Sequence, residues 1–235
     1  IPVDPYQAFR CDVPNLSTSL YFMVNDQFYD KKLPTVSLPE GVVVDSLRKM
    51  AVERPDIVEK YYGKLARTSK DAVTALNTML CQDGLLVYVP KNVIVERTVQ
   101  IVNVLRSDVD LMVNRRVLVV LEEGASIRLL FCDHAIDDCK FLTTQVVETY
   151  VGENAHLEMY DLEETHTKNT RFSNTYAEQQ TYSTSVIDSI TLHNGMTRNR
   201  IDLSLCGEYA EVTLNGLVVA DKEQRVDNNT LIDHR

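Results

Sequence analysis

The chain has 235 residues and a formal net charge of −10, with 44% hydrophobic and 25% charged residues. This length allows one large domain or two small ones, and the acidic balance argues against a nucleic-acid groove, which needs clustered Lys and Arg. No run reaches the roughly 18 apolar residues of a membrane helix, and no signal peptide opens the sequence. Because the chain starts at Ile1 and stops inside an alternating pattern, we expect it to be a piece of a longer protein.

The first predicted elements are a hairpin and a buried strand. Apolar runs at 20–24 and 27–29 flank Asn25 and Asp26, which tolerate the positive φ of a tight hairpin. The run 42–44 suits a buried strand. We therefore predict a small β unit at the start of the chain.

Three helices are predicted next. The first begins after Ser46, and the second starts at Pro55 and closes at Gly63. The third takes Ser69 as its N-cap, with Asp71 suited to the positive end of the helix dipole. The residues predicted to face the core are Leu47, Met50 and Ala51, then Ile57, Val58 and Tyr61, then Ala72, Val73, Ala75, Leu76, Met79 and Leu80.

From Gly84 onward the sequence predicts strands almost without interruption. The apolar or alternating segments are 85–89, 93–95, 99–104, 117–121, 141–150, 183–192 and 201–205. No helical period interrupts roughly the last 150 residues, and this excludes a doubly wound α/β sheet because that fold alternates strands with helices.

A degenerate repeat distinguishes a solenoid from a β-sandwich. Its three copies begin at Gly124, Gly152 and Gly207, and each glycine-led turn reaches an alanine followed by apolar residues at alternate positions. The residues two and four positions beyond the alanines are Ile127 and Leu129, Leu157 and Met159, and Val212 and Leu214. The alanines lie 30 and 55 residues apart, about one and two units of a coil with long rungs. We predict a mainly β protein, a β-helix over 84–235 preceded by a mixed α/β region over 1–83.

One cysteine-rich cluster contains residue types that can bind a metal ion. Cys132-Asp133-His134 with Cys139 offers soft-metal ligands, but the spacing matches no standard site, so a structural role is equally suitable. The five cysteines are odd in number and never form Cys-x-x-Cys, so we expect no disulfide framework and a reducing, cytoplasmic setting. They are Cys11, Cys81, Cys132, Cys139 and Cys206.

Carboxylates next to histidines offer possible acid–base chemistry. Glu163, Glu164 and His166 are close in sequence, as are Asp227 and His234. Because the chain has 34 acidic residues, such neighbours arise by chance, and a solvated surface is the favoured interpretation. The sequence has no P-loop, Gly-x-Ser-x-Gly or His-Glu-x-x-His motif.

Two asparagine-containing segments are interpreted as polar corners before strands. They are Arg198-Asn199-Arg200 and Asn228-Asn229. We favour a structural role for both, in which stacked asparagines in the turns bond to the backbone of the adjacent rung.

Several segments, taken in order, resemble the SufB/SufD family of SUF-system scaffold proteins. They are Ala75-Leu76-Asn77-Thr78 with Asp83-Gly84, Val151–Ala155, Leu192–Gly195 leading to Arg198-Asn199, Gly207–Leu217 and Val226–His234. The resemblance spans nearly the whole chain. It points to the SufD branch because the cysteine-bearing core motifs of SufB are missing.

The resemblance implies a right-handed parallel β-helix and a non-catalytic scaffolding function. A SufB-like paralogue and a SufC-like ABC ATPase are the implied partners, and the complex as a whole handles the iron–sulfur cluster. Chains of this family continue beyond the position that corresponds to Arg235, and the segment proposed to handle sulfur and iron lies in that continuation. Family members also usually carry His where this sequence has Arg225. No catalytic residue, metal ligand or tightly bound cofactor is therefore assigned to this chain.

The last part of the chain, 206–235, is predicted to lie near the SufB-facing end, because terminal strands of a solenoid can pair with another chain. The predicted partner-binding residues are Glu208, Glu211, Asp227, Asn228 and His234. Neither nucleic acid nor a membrane is expected as a partner. Two alternatives stay open: a β-helical carbohydrate-active enzyme, which needs a cleft with convergent carboxylates, and a self-assembling structural solenoid.

Overall fold

The computed structural model describes residues 18–31, 34, 36–68 and 70–235. Its helices are α1 (Leu47–Glu53), α2 (Pro55–Tyr61) and α3 (Ala72–Leu80), with a 3-10 turn at Ala66–Thr68. Its strands are β1 (Ser19–Val24), β2 (Gln27–Phe28), β3 (Val43–Ser46), β4 (Leu85–Val89), β5 (Ile94–Leu105), β6 (Leu111–Leu121), β7 (Ser126–Ala135), β8 (Phe141–Val151), β9 (His156–Glu164), β10 (Asn169–Gln179), β11 (Thr184–His193), β12 (Met196–Leu205), β13 (Glu211–Val218) and β14 (Arg225–His234). No helix within these ranges is long and apolar enough to span a membrane.

The strands form two facing sheets of seven strands each. Sheet A has the order β13-β11-β9-β7-β5-β1-β2, and sheet B has the order β14-β12-β10-β8-β6-β4-β3. From β5 onward the chain alternates between the sheets, and each strand pairs in parallel with the strand two places further along. An odd strand and the even strand after it make one rung, which gives five rungs from β5–β6 to β13–β14. The mainly β solenoid predicted from the sequence is confirmed.

The repeat corresponds to the stacking of successive rungs. In the register of β7 with β9, Ile127 lies beside Leu157 and Leu129 beside Met159, and all four side chains are buried in the interior. The third copy of the repeat lies two rungs after the second, because strand β11 lies between β9 and β13 and has no glycine–alanine pattern before it. The apolar half of the interior is therefore built by the alternation that the sequence displays.

The turns of the repeat are equivalent, as predicted, but its glycines have two different roles. The left-handed turn residue precedes the alanine, and it is Gly124 in one rung but Asn154 or Tyr209 in others, with φ of 67°, 55° and 56°. Gly152 and Gly207 instead start their turns. A Cβ on Gly207 would lie 1.9 Å from the Thr181 nitrogen, so close packing of neighbouring rungs requires glycine there.

Helices α1 and α2 form as predicted and cover the outer face of sheet B, but Ala51, predicted to face the core, is exposed. Ser46 caps α1 through its side chain, Pro55 opens α2, and Gly63 takes φ of 74° just after that helix. The buried helix residues pack on outward-facing side chains of β4 and β6. This second core contains Leu47, Met50, Ile57, Val58, Leu86, Leu118 and Val120.

Helix α3 contradicts the predicted buried stripe. Its buried residues are Thr74 and Asn77, whereas Met79 is 72% exposed. The reason is that α3 lies on polar atoms of the sheet: Asn77 Nδ2 donates to the backbone oxygens of Arg115 and Thr144. The N-cap is Asp71, which accepts from the N–H groups of residues 73 and 74, and the predicted cap Ser69 lies outside the described residues.

The N-terminal strands belong to the same two sheets. The predicted hairpin forms between β1 and β2 with Asn25 at φ of 56°, β1 also pairs in parallel with β5, and β3 pairs with β4. The division of the chain at 83/84 stays a prediction. The predicted corners at 198–200 and 228–229 were wrong, because both segments lie within strands, β12 and β14.

Candidate functional site

Half of the solenoid interior is polar. The strand register aligns Arg115, Gln145, Ser173, Asn199 and Asn228 in one continuous column across β6, β8, β10, β12 and β14. Asn199 Nδ2 donates to Asn228 Oδ1 at 3.0 Å. The asparagines thus bond between rungs, but to each other's side chains and not, as predicted, to the backbone of the adjacent rung. This column lies beside the apolar half formed by the repeat.

Five charged side chains meet in this polar interior. Asp133 Oδ1 lies 3.1 Å from Arg115 Nη1, and Asp133 Oδ2 lies 3.1 Å from Arg171 Nε. Arg171 Nη2 donates to Asp161 Oδ2 at 2.6 Å, and Arg171 Nη1 lies 3.8 Å from Glu163 Oε2. The two contacts to Asp133 are charge contacts without hydrogen-bond alignment, since neither nitrogen has a hydrogen-bond partner in the described part of the chain. We call these five residues the buried charge cluster.

The buried charge cluster has three carboxyl groups and two guanidinium groups, and their pKa values diverge. Burial would raise the pKa of Asp133, but the two arginines outweigh it and hold that pKa below its usual range. Burial raises the pKa of Glu163 to about 7, against the opposing effect of Arg171 and of the Thr197 hydroxyl, which donates to Glu163. Burial likewise raises the pKa of Asp161, against the opposing charge of Arg171, so Glu163 and Asp161 take up protons more readily than Asp133.

The sequence interpretation of Glu163 as a solvated surface residue was wrong. Its side chain is 1% exposed, because alternation in β9 turns it toward the interior, whereas Glu164 faces solvent. His166 binds elsewhere, through its Nε2 to the backbone oxygen of Asp137. The carboxylates of Asp133 and Glu163 thus lie buried inside the solenoid beside arginines, and Asp161, whose side chain is 20% exposed, lies next to them.

The sequence cluster Cys132-Asp133-His134 does not converge. Cys132 lies in a buried apolar patch with Phe22 and Val102 on the outer side of sheet A, and Asp133 points into the interior. Alternation along β7 separates these neighbours. Cys139 donates its thiol to the Ser107 backbone oxygen. Within the described residues no three His, Cys, Asp or Glu side chains form a group that could hold a metal ion.

A buried ion pair positions the helical layer on sheet B. Arg116 Nη2 donates to Glu148 Oε2 at 2.6 Å, and both side chains are fully buried. The Glu148 carboxylate also accepts from the backbone N–H groups of Gly63, Leu65 and Ala66. It therefore fixes the segment after α2 onto the solenoid.

The last rung presents an open edge. Among the described strands, β13 pairs only with β11 and β14 only with β12, so one edge of each keeps unpaired backbone groups. Tyr209, in the turn before β13, stacks on Tyr182 of the turn before β11, with ring centroids 5.0 Å apart. Exposed apolar side chains accompany this edge, namely Tyr209, Leu217, Val218, Val219, Leu231 and Ile232.

The five predicted partner-binding residues all belong to this last rung but face different ways. Glu208 is exposed in the turn before β13, and Glu211 is the exposed first residue of that strand. On β14, Asp227 is exposed on the outer face, whereas Asn228 continues the interior column and is exposed at its open end. His234 is the exposed last residue of β14. The structure brings them to one end of the solenoid, not to one patch.

A groove next to this end was not predicted from the sequence. Its volume is about 750 Å³, and it lies where the helical layer ends and the outer face of sheet B becomes bare. Lys60 and Lys64 line it from the helical side, Tyr150 and Tyr176 form part of its floor, and Leu231 extends it onto the last rung. The residues come from distant positions in the chain, so no local motif marks this groove.

Comparison with protein families gives two matches that together cover almost the entire chain. Residues 1–101 match the family model described as the SufBD protein N-terminal region. Residues 104–235 match the model described as the SUF system FeS cluster assembly, SufBD core domain.

Curated relatives share about 30% identity over half of the chain. The iron-sulfur cluster assembly SufBD family protein slr0074 of Synechocystis is 32% identical over 120 residues, which are 50% of this chain and 25% of that protein. The iron-sulfur cluster assembly protein SufD of Bacillus subtilis is 33% identical over 117 residues, 49% of this chain and 26% of that protein. The chloroplastic protein ABCI8 of Arabidopsis thaliana is 29% identical over 121 residues, 50% of this chain and 21% of that protein. The matched segment thus spans about a quarter of the length of these relatives.

Proposed function

We propose that this chain is a non-catalytic scaffold subunit of the SufD type. The chain belongs to the SufBD family of SUF-system iron–sulfur cluster assembly proteins. In this proposal it pairs with a SufB-like paralogue, supports a SufC-like ABC ATPase and works in the cytoplasm, with the iron–sulfur cluster as cargo of the complex. The observation that carries the proposal is the match of both family domains, in order, along the chain. Similarity to a Bacillus SufD supports the SufD type.

The physical basis of the scaffold proposal is the rigidity of the solenoid and its open end. Parallel strands and stacked interior side chains give a long rigid body. Unpaired backbone groups of β13 and β14 can bond to a strand of another chain, and exposed Leu217 and Leu231 can bury apolar surface there. We place the paralogue at this last rung, with Glu208, Glu211, Asp227, Asn228 and His234 in or beside the contact.

Charge reversal at the last rung tests the placement of the paralogue. The variant carrying Glu208→Lys and Glu211→Lys should bind the purified SufB-like paralogue of the same host more weakly, and the loss should shrink at higher salt because exposed charges are screened. Both side chains are exposed, so the fold should tolerate the change. Glu53→Lys is the matched control, because Glu53 is an exposed carboxylate at the end of α1 on the helical layer.

Binding would be measured by titration of the immobilised paralogue with each variant. Weakening at the last rung with an unchanged affinity for Glu53→Lys supports the placement. Equal losses for both variants, or no loss for either, would contradict it.

Self-assembly is the second candidate function, favoured by the same open edge. Two copies could pair through β13 and β14. Sedimentation of the chain across a concentration series separates the two functions. A monomer that gains mass only with the paralogue supports the scaffold proposal, and a concentration-dependent dimer or filament supports self-assembly.

A further inference from the structure

We propose that the interior of the solenoid binds one ordered water molecule, held between Gln145 of sheet B and Asp161 of sheet A. The site lies at the boundary between the apolar and polar halves of the interior. It is independent of the assembly partner and of the open last rung.

A cavity of about 20 Å³ lies at this boundary. It is lined by residues of both sheets from three successive rungs, with Phe131, Val147 and Met159 on the apolar side. The polar side is formed by Gln145, Asp161, Ser173, Ser189 and Asn199. A cavity needs about 10–15 Å³ to hold a water molecule, so this one has room for one.

Two buried acceptor atoms on the cavity wall lack a hydrogen-bond partner within the described residues. They are Gln145 Oε1 and Asp161 Oδ1. The other polar atom of each side chain is engaged: Gln145 Nε2 donates to Ser173 Oγ at 3.3 Å, and Asp161 Oδ2 accepts from Arg171 Nη2 at 2.6 Å. Gln145 is 2% exposed, so bulk water cannot satisfy its oxygen.

One water molecule completes this arrangement. Its two O–H groups can donate to Gln145 Oε1 and Asp161 Oδ1, and the Ser173 hydroxyl, which already accepts from Gln145, can donate to the water oxygen. Three partners are the usual number for a buried water. Leaving both acceptors unpaired would cost the desolvation free energy of each, which is larger for the carboxylate.

The charge of the surroundings favours water over a cation. Asp161 already carries the Arg171 guanidinium on its other oxygen. A metal ion at Oδ1 would lie close to that positive charge in a poorly solvated interior. A neutral donor satisfies the oxygen without this repulsion, and it links β8 to β9 across the interior.

The test is a crystal structure of the chain at a resolution that shows ordered water, together with water-oxygen magnetic relaxation dispersion, which counts long-lived buried waters in solution. The proposal expects a density peak about 2.7–3.2 Å from both Gln145 Oε1 and Asp161 Oδ1. A well-ordered cavity with no peak would overturn it, and so would a peak with the shorter contacts of a metal ion.

Two variants make the assignment specific. Gln145→Leu removes one acceptor at nearly constant shape, so the peak should vanish and the count of long-lived waters should fall by one. Thr149→Val is the matched control, because Thr149 is on the same strand, is fully buried and has an unpartnered hydroxyl, yet does not line the cavity. The control should keep the water. A peak that survives Gln145→Leu would contradict the proposal.

Discussion

Substitution of Glu163 by glutamine should change how the stability of the protein depends on pH. Glu163 faces Arg171 from β10, Asp133 from β7 and Asp161 on its own strand, and Thr197 of β12 donates to it. Burial raises the pKa of this carboxyl from its ordinary value of 4.5 to about 7 in the folded protein. The glutamine keeps the oxygen that accepts from Thr197 but cannot titrate.

The sign follows from proton linkage. Between pH 4.5 and about 7 the folded wild type holds a proton on Glu163 that the unfolded chain has released. Because the folded state binds more protons in this window, the free energy of unfolding falls as pH rises. The difference between a pKa of 4.5 and one of about 7 corresponds to about 3 kcal/mol. Glu163 contributes this stability fully below pH 4.5 and no longer contributes it well above pH 7.

Urea unfolding of wild type and Glu163→Gln across this pH range measures the effect. The difference in unfolding free energy should move in favour of the variant by about 3 kcal/mol from pH 4 to pH 8. Taking the difference removes the contributions of groups that titrate alike in both proteins. A difference that stays flat, or that moves in favour of the wild type as pH rises, would refute the assignment of a buried, protonated Glu163.

Three further substitutions test other parts of the structure by denaturant unfolding. Glu148→Gln leaves the buried guanidinium of Arg116 without its counter-charge and should cost about 3–5 kcal/mol, and a loss below 1 kcal/mol would contradict the buried pair. Gly207→Ala should destabilise because a Cβ there meets the backbone of the preceding rung, whereas Gly216→Ala, with open space around it, should be neutral or slightly stabilising; equal effects would count against the tight turn. Asn77→Ala should cost about 1–3 kcal/mol through lost bonds to sheet B, and Met79→Lys should stay within about 0.5 kcal/mol; the reverse order would show that α3 buries its apolar side.

The apolar half of the solenoid was predictable because its signal is periodic and local. Ile127, Leu129, Leu157 and Met159 alternate with polar residues in the sequence, and the same side chains stack in the interior. The longer spacing between the second and third copies of the repeat corresponds to one intervening rung, which contains β11. Alternation with a constant spacing is thus sufficient to identify stacked rungs.

The polar half could not be predicted, because alternation alone assigns polar residues to the solvent side. Glu163 faces inward although its sequence context indicates a solvated surface, and only the register between rungs brings it near Arg171. The prediction of a buried apolar side for helix α3 was wrong for the same reason. Its apolar side suggested a core contact, yet Asn77 faces the sheet because backbone oxygens of the solenoid need a donor there.

The sequence indicates where along the solenoid the proposed partner-binding residues lie, but not which way each of them faces. The sequence placed Glu208, Glu211 and Asn228 near one end of the solenoid, and the structure places all three in the last rung. It also separates them, since Asn228 is aligned with the interior column. Which way each residue faces depends on strand boundaries, and the sequence did not define β13 and β14.

Anaerobic affinity purification of the tagged full-length protein from its own host tests the scaffold proposal most directly. Co-purifying chains would be identified by mass spectrometry and their ratios measured. The proposal predicts recovery of a SufB-like paralogue together with a SufC-like ABC ATPase. Recovery of the protein alone, under conditions that keep other complexes of that host intact, would contradict it.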